Sequence, residues 1–113
     1  MIRGTSHIFR FDYLDFVDDI TLIEEVEVIF YQDKYKDEEQ IKIPKYLNEC
    51  VICGESKEIV VELSPSDTIQ FTDKRKLKIQ IKVKAKDLNG NPFTYGFFIQ
   101  NITVYPSLSD KIL

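Results

Sequence analysis

The longest regular pattern of the chain runs from Lys76 to Lys86, where aliphatic and polar residues alternate one by one. Such alternation predicts a strand with one buried face, because successive side chains of a strand point to opposite sides of the sheet. One face is entirely aliphatic, and the other carries five lysines and Gln80. The Asn89-Gly90 pair that follows is typical of a tight turn, so we predict a hairpin in which these two residues supply the positive φ angles.

Shorter alternating segments predict the remaining strands, at residues 5–13, 25–31, 40–46, 50–52, 58–63, 93–99 and 102–105, with a charged loop at 32–39. Pro44 favours an edge position for its strand, and the shift of apolar phase between Ile99 and Ile102 predicts a bulge near Gln100-Asn101. Ser64-Pro65-Ser66-Asp67 predicts a single helical turn with Ser64 as its N-cap. About seven short strands at this spacing predict an all-β fold, an immunoglobulin-like antiparallel β-sandwich with one short helical turn.

The length of 113 residues predicts one domain, at residues 1–106, followed by a C-terminal tail at 107–113. A net charge of −4 gives no general attraction to nucleic acid, so we expect no nucleic-acid partner. No apolar run is long enough to span a bilayer, and the first residues lack the apolar core of a signal peptide. We therefore expect no membrane partner and a protein that folds in the cytosol.

We find no catalytic constellation, and predict that the protein is not an enzyme and needs no cofactor. Cys50 and Cys53 form a lone Cys-x-x-Cys, whereas a structural zinc site needs four ligands and His7 is the only histidine. We interpret the two cysteines as semi-buried thiols at the end of a strand. The acidic clusters at residues 15–19 and 37–39 lack the spacing of a calcium loop, and we interpret them as solvated loops that could neutralise the lysine face.

Aromatic residues are the strongest candidates for a binding surface. Phe93, Tyr95, Phe97 and Phe98 lie within six residues and fall on both faces of one predicted strand, so packing in one core does not account for all four. The tyrosines considered as further exposed residues are Tyr31, Tyr35 and Tyr46. Exposed aromatics are typical of protein interfaces and of carbohydrate platforms. We take Phe93, Tyr95, Phe97, Phe98, Tyr31 and Tyr46 as interface candidates, with packing inside the core as the alternative.

Several segments resemble small proteins encoded by phages and prophages of low-GC Gram-positive bacteria. The resemblance is carried by Met1-Ile2-Arg3-Gly4-Thr5, the strand at 26–31, Glu49-Cys50, the run from Val61 to Phe71, the segment 79–83, the Asn-Gly turn, the Val104 strand and Leu108-Ser109-Asp110. The chain is also distantly similar to the N-terminal domain of phage upper-baseplate proteins. It departs from the pattern in the long charged loop at 31–41, at Cys53 and at Phe97-Phe98.

The resemblance implies a non-enzymatic structural protein of the virion, on the head, neck or baseplate. Such a protein would be present in several copies or as a homo-oligomer, and would contact other virion proteins. It would be located in the virion and, before assembly, in the host cytoplasm. The alternative is a carbohydrate-binding module that recognises host cell-surface glycans through exposed tyrosines.

Overall fold

The computed structural model describes residues 1–12, 14–34 and 39–108, which form two antiparallel sheets. The strands are β1 (His7–Phe11), β2 (Ile23–Gln32), β3 (Ile41–Tyr46), β4 (Cys50–Cys53), β5 (Glu58–Leu63), β6 (Leu77–Lys86) and β7 (Pro92–Ile102). A helical turn, α1 (Pro65–Thr68), and 3-10 turns at Ile20–Leu22 and Leu47–Glu49 complete the fold. The predicted all-β sandwich is confirmed.

The seven strands are divided between the two sheets as follows. One sheet has the order β1-β5-β4, and the other has the order β3-β2-β6-β7. All of these strand pairs are antiparallel. In the lettering of immunoglobulin-like sandwiches the two orders correspond to B-E-D and C′-C-F-G.

The core lies between the two sheets. The aliphatic residues of β6, from Leu77 to Ala85, have no exposed surface, while the polar residues between them are half-buried or exposed. The three-stranded sheet contributes Phe11 and the three alternating aliphatic residues of β5. Phe9 and Phe30 meet across the core with ring centroids 5.0 Å apart. The alternation in the sequence therefore separates core from surface as predicted.

The hairpin between β6 and β7 is present, but the predicted turn was placed one residue too late. The Gly90 N–H donates to the Asp87 carbonyl at 3.0 Å, so Leu88 and Asn89 are the central residues. Of the loop residues only Gly90 has a positive φ, of 82°. The backbone hydrogen bond between Asp87 and Asn91 closes a loop of three residues, 88–90. The Asp87 carboxylate stabilises this loop, because it accepts the N–H groups of Asn89 and Asn91, both at 2.9 Å.

The irregularity predicted near Gln100-Asn101 is confirmed. Ile79 pairs with Ile99 whereas Leu77 pairs with Ile102, and Asn101 has a φ of 64°. The predicted separate strand at 102–105 was wrong, because β7 ends at Ile102 and Tyr105 makes only an isolated bridge to Ile2. The predicted edge position of the strand containing Pro44 is confirmed, since β3 lies at the end of its sheet.

Gln32 was predicted to open a charged loop, and this was wrong. It is the last residue of β2 and is completely buried. Its Nε2 donates to the carbonyls of Thr72 (2.7 Å) and Arg75 (2.9 Å), and its Oε1 accepts the Thr72 N–H at 2.9 Å. A buried amide is tolerated when its donors and acceptor are satisfied in this way.

The helical turn begins as predicted. The Ser64 hydroxyl accepts the Asp67 N–H at 3.1 Å, and the Asp67 carboxylate accepts the Ser64 N–H at 2.9 Å. No helix among the described residues is long and apolar enough to cross a membrane. Of the predicted tail, residues 109–113 lie outside the described part of the chain, as does Tyr35.

Candidate binding surfaces

The structure divides the six aromatic candidates into two groups of three. Tyr31, Tyr46 and Phe98 lie on the outer face, which we define as the side of the four-stranded sheet turned away from the core. Phe93, Tyr95 and Phe97 point to the inner side of β7, opposite buried residues of β6. Each group forms its own surface, so the six residues do not make one site.

Three lysines of the outer face, Lys78, Lys84 and Lys86, are paired with acidic groups. The Nζ atoms of Lys86 and Lys84 lie 3.2 and 3.9 Å from Glu24 carboxylate oxygens. Lys78 forms a hydrogen-bonded ion pair with Asp33, and this contact raises the pKa of Lys78. Among the described residues, the acidic groups that neutralise these lysines are therefore Glu24 and Asp33, in and directly after β2, and not the cluster at 15–19 that the sequence suggested. Of the other predicted cluster, at 37–39, residues 37 and 38 lie outside the described part of the chain.

An uncharged row crosses the outer face where the lysine pattern is interrupted. Gln80 is the one residue of that pattern that is not a lysine, and it lies opposite Ile29 on β2 and Phe98 on β7. Pro44 on β3 lies opposite Ile29 and completes the row. The Phe98 side chain is 62% exposed. Sequence reasoning missed Ile29, Pro44 and Gln80, although the single break in the lysine pattern was a visible signal.

A groove of about 550 Å³ opens beside this row on the outer face. Its lining includes Tyr46, Asn48, Glu27, Lys82 and Thr94. Glu27 lies directly opposite Lys82 in the sheet, so charges of both signs face the groove. The groove combines one aromatic wall with several polar groups, which is a combination that can orient a polar ligand.

The inner group of aromatics packs against Phe16, which belongs to the connection between β1 and β2. Phe16 stacks on Tyr95 with centroids 4.2 Å apart, and its ring centroid lies 5.6 Å from Phe97 and 6.0 Å from Phe93. Phe93 and Phe97 are half-buried, while Tyr95 remains 47% exposed. Phe16 was not among the predicted residues, because the acidic residues around it indicated a solvated connection.

The two cysteines do not form a paired site. Cys50 and Cys53 are three positions apart on β4, so their side chains point to opposite faces of the sheet. Both are half-buried free thiols, in agreement with the interpretation from the sequence. Burial, with a smaller effect of Glu49, raises the pKa of Cys50 to about 11. Within residues 1–12, 14–34 and 39–108 no group of three metal-ligating side chains is close enough to hold an ion.

His7 lies on the inner side of β1, and its ring centroid is 4.4 Å from that of Phe9. Burial lowers the pKa of His7 below its usual value. A histidine packed on an aromatic ring in a sheet is typical of a structural residue.

In comparisons with known proteins, no family model, no curated protein and no solved structure matches the chain.

Proposed function

We propose that this protein is a non-enzymatic structural component of a phage virion that acts through contacts with other virion proteins. The observation that carries the proposal is the uncharged row across the outer face, which ends in the exposed ring of Phe98. Charged residues lie on both sides of the row. Protein interfaces are commonly built in this way, with an apolar anchor inside a polar rim. The resemblance to phage-encoded proteins supports the virion as the place of action.

The exposed phenyl ring can contribute substantially to docking. An aromatic side chain buries about 150–250 Å², and Phe98 leaves 62% of its surface to solvent. Covering that remainder, at about 25 cal/mol per Å², would contribute about 3 kcal/mol before the costs of association. A contribution of this size is typical of a hot-spot residue, so one substitution at Phe98 should be sufficient to test the surface.

Mass spectrometry of purified particles from a producing strain tests the virion role. We expect the protein in a fixed ratio to the major capsid protein. A ratio close to one would indicate the capsid surface, and a much smaller fixed ratio would indicate the neck or tail. Absence from particles, while the protein is expressed in the producing cells, would refute the proposal.

A pair of variants tests the outer face itself. Phe98→Ala should lower incorporation into particles without changing the far-UV circular dichroism spectrum. Leu88→Ala is the matched control, because Leu88 is 76% exposed but lies at the tip of the β6–β7 hairpin. Equal incorporation of both variants would show that the uncharged row is not the docking surface.

The groove supports a second candidate function, the recognition of a host cell-surface glycan. Tyr46 offers a ring that is 48% exposed, and Asn48, Glu27 and Lys82 offer hydrogen-bonding groups nearby. Sugar rings stack on aromatic faces while their hydroxyls bind such polar groups. We expect Tyr46→Ala to lose retention on host cell walls and Tyr105→Ala, at an exposed tyrosine outside the groove, to keep it. Failure of the wild-type protein to bind cell walls at high concentration would exclude this function.

A further inference from the structure

β7 is an edge strand of unusual composition. It has eleven residues and none of them is charged. The other edge strands are protected from pairing with foreign strands: β3 carries two lysines and a proline, β1 carries Arg10, and β4 has only four residues. Natural proteins normally protect long edge strands with charges, prolines or bulges, because the unpaired backbone groups of an edge can recruit another strand. In β7 the proline and the bulge lie only at the two ends, at Pro92 and near Asn101. The uncharged segment between them is unprotected, and this indicates a strand that pairs with another strand.

The direction of the free backbone groups follows from the hairpin. The Asp87 N–H donates to the Asn91 carbonyl at 2.9 Å, so the backbone of Asn91 faces β6. Because this direction alternates along a strand, Thr94, Gly96 and Phe98 turn their N–H and C=O groups toward the free edge. Among the described strands, β6 is the only neighbour of β7.

We propose that β7 pairs with β7 of a second copy of this chain, antiparallel about a two-fold axis at Gly96. The register of β7 is regular from Pro92 to Ile99, before the bulge. Because proline has no N–H to donate, the segment that can pair runs from Phe93 to Ile99, and Gly96 is its midpoint. A two-fold axis there pairs the whole regular segment with itself. It joins two four-stranded sheets into one continuous sheet of eight strands. This inference does not depend on the virion role.

The charge distribution favours a second copy as the partner. Each chain has a net charge of −4, so two copies repel one another over most of their surfaces. β7 can pair with itself without placing like charges opposite each other, whereas self-pairing of β3 would bring Lys42 and Lys45 of both copies together. A two-fold interface uses the same patch on both copies, and an uncharged strand satisfies that requirement.

The side chains beside the axis also suit the pairing. On the inner side, Tyr95 would lie opposite Phe97 of the second copy, and the two aromatic stacks built on Phe16 would become continuous. Cross-strand aromatic pairs of this kind stabilise antiparallel sheets. The 47% of Tyr95 that Phe16 leaves exposed would then be largely covered. On the outer face, the two copies of Gly96 leave the centre of the interface free of side chains.

Substitution of Gly96 can test the proposal, because the folded monomer has room for a side chain at this position. A Cβ atom built at Gly96 has the Ile81 carbonyl oxygen as its nearest contact, at an ordinary 3.8 Å, and the residue has no positive φ. A larger side chain at this position would extend over the outer face beside Lys82, which is its cross-strand neighbour. In the dimer, however, two such side chains would face each other across the axis.

Sedimentation equilibrium of the purified protein is the first test. We expect the wild-type protein to have twice the monomer mass of 13.3 kDa. Gly96→Glu should raise the dimer Kd by more than about tenfold, because it places two carboxylates directly opposite each other. Val51→Glu is the matched control: it adds the same charge at an exposed position of another edge strand, and it should leave the dimer intact. A wild-type monomer at high concentration, or a Gly96→Glu dimer as tight as wild type, would overturn the proposal.

Oxidative cross-linking tests the register. In a background with Cys50→Ala and Cys53→Ser, Gly96→Cys places two thiols opposite each other, at a Cα separation of about 5.5 Å that suits a disulfide. Thr94→Cys places its two thiols four strand positions apart, about 13 Å, which no disulfide can span. We expect rapid covalent dimers from the first variant and none from the second. Equal linking by both, or linking by Thr94→Cys alone, would refute pairing about Gly96.

The same experiments separate this inference from the proposed function. A protein that dimerises in solution but is absent from particles would retain the β7 pairing and refute the virion role. A protein that is present in particles but remains a monomer in solution would support the virion role and refute the β7 pairing.

Discussion

Replacement of Gln32 by methionine should destabilise the protein strongly, although methionine has a similar length and is apolar. The Gln32 amide satisfies three backbone groups of the segment that leads into β6, namely the N–H and C=O of Thr72 and the C=O of Arg75. The side chain has no exposed surface, so water does not reach it in the folded protein. Methionine would fill the space but offer no donor or acceptor to these groups.

The free energy of unfolding should fall by about 3 kcal/mol, because three hydrogen bonds that contribute about 1 kcal/mol each are lost. It would be larger if the backbone groups remained buried without partners, since each then carries a desolvation cost of about 1–3 kcal/mol. Domains of this size have a free energy of unfolding of about 5–15 kcal/mol, so the loss is a large fraction of the total. The corresponding fall in Tm is about 10–20 °C.

Urea unfolding followed by far-UV circular dichroism measures this change, because the chain has no tryptophan to report on it. Gln80→Met is the matched control: Gln80 lies on the outer face of β6 and is only half-buried, so the free energy of unfolding should change by less than about 0.5 kcal/mol. A loss below about 1 kcal/mol for Gln32→Met, with an unchanged m-value, would show that water replaces the amide. The inference that the Gln32 amide is required to satisfy the backbone groups of Thr72 and Arg75 would then be refuted.

Local contacts elsewhere give three further expectations. Burial raises the pKa of Asp67, but hydrogen bonds from Ser64 and Lys45 lower it more, so the folded pKa lies below the unfolded value of about 4. The Asp67 carboxylate therefore stabilises the fold above the unfolded pKa, and this stabilisation is lost as the pH falls through the folded pKa. In thermal unfolding, the Tm of Asp67→Asn should fall less in acid than the Tm of the wild-type protein. With the pKa of Cys50 near 11, a thiol reagent at pH 8 should react mainly at Cys53. Gly90→Ala should cost about 1 kcal/mol in urea unfolding, because the φ of Gly90 is 82°.

The positions of the strands could be predicted because burial repeats at every second residue. The alternation in β6 and β5 gives the buried face directly, and the capping residues of α1 identify their own hydrogen bonds. The order of the strands within each sheet could not be predicted. Alternation determines which side of a strand is buried, but it does not determine which other strand lies beside it in the sheet. The central pairing of β2 with β6 joins residues that are 47 to 62 positions apart, from Tyr31↔Lys78 to Ile23↔Ala85.

The binding surfaces were only partly predictable for a related reason. Phe98 and Tyr46 were identified by their residue type, and the structure exposes both. Phe16 was missed because it is a single aromatic among acidic residues, and it becomes relevant only when the connection between β1 and β2 folds over β7. Gln32 was misassigned because it is polar, even though it continues the alternating core pattern of Val26, Val28 and Phe30. At both positions tertiary contacts override the local signal.

The first residues of the chain and the segment after β5 have a structural role. The Arg3 guanidinium donates to the carbonyls of Ile69, at 2.9 Å, and Phe71, while the Thr68 hydroxyl donates to the Thr5 carbonyl at 2.8 Å. The first residues of the chain and the segment after β5 therefore hold each other in place, and we refer to these two segments as the framework.

The exposed and half-buried aromatics of β7 lie outside this framework. Phe98 is the exposed aromatic of the uncharged row, and the ring of Phe97 packs beside Tyr95 at the β7 edge. Because the framework is bonded internally and these aromatics are concentrated on β7, substitutions at β7 should change the partners of this protein while leaving its fold intact. Substitutions in the framework, such as Arg3→Ala, should lower stability and affect binding only through that loss.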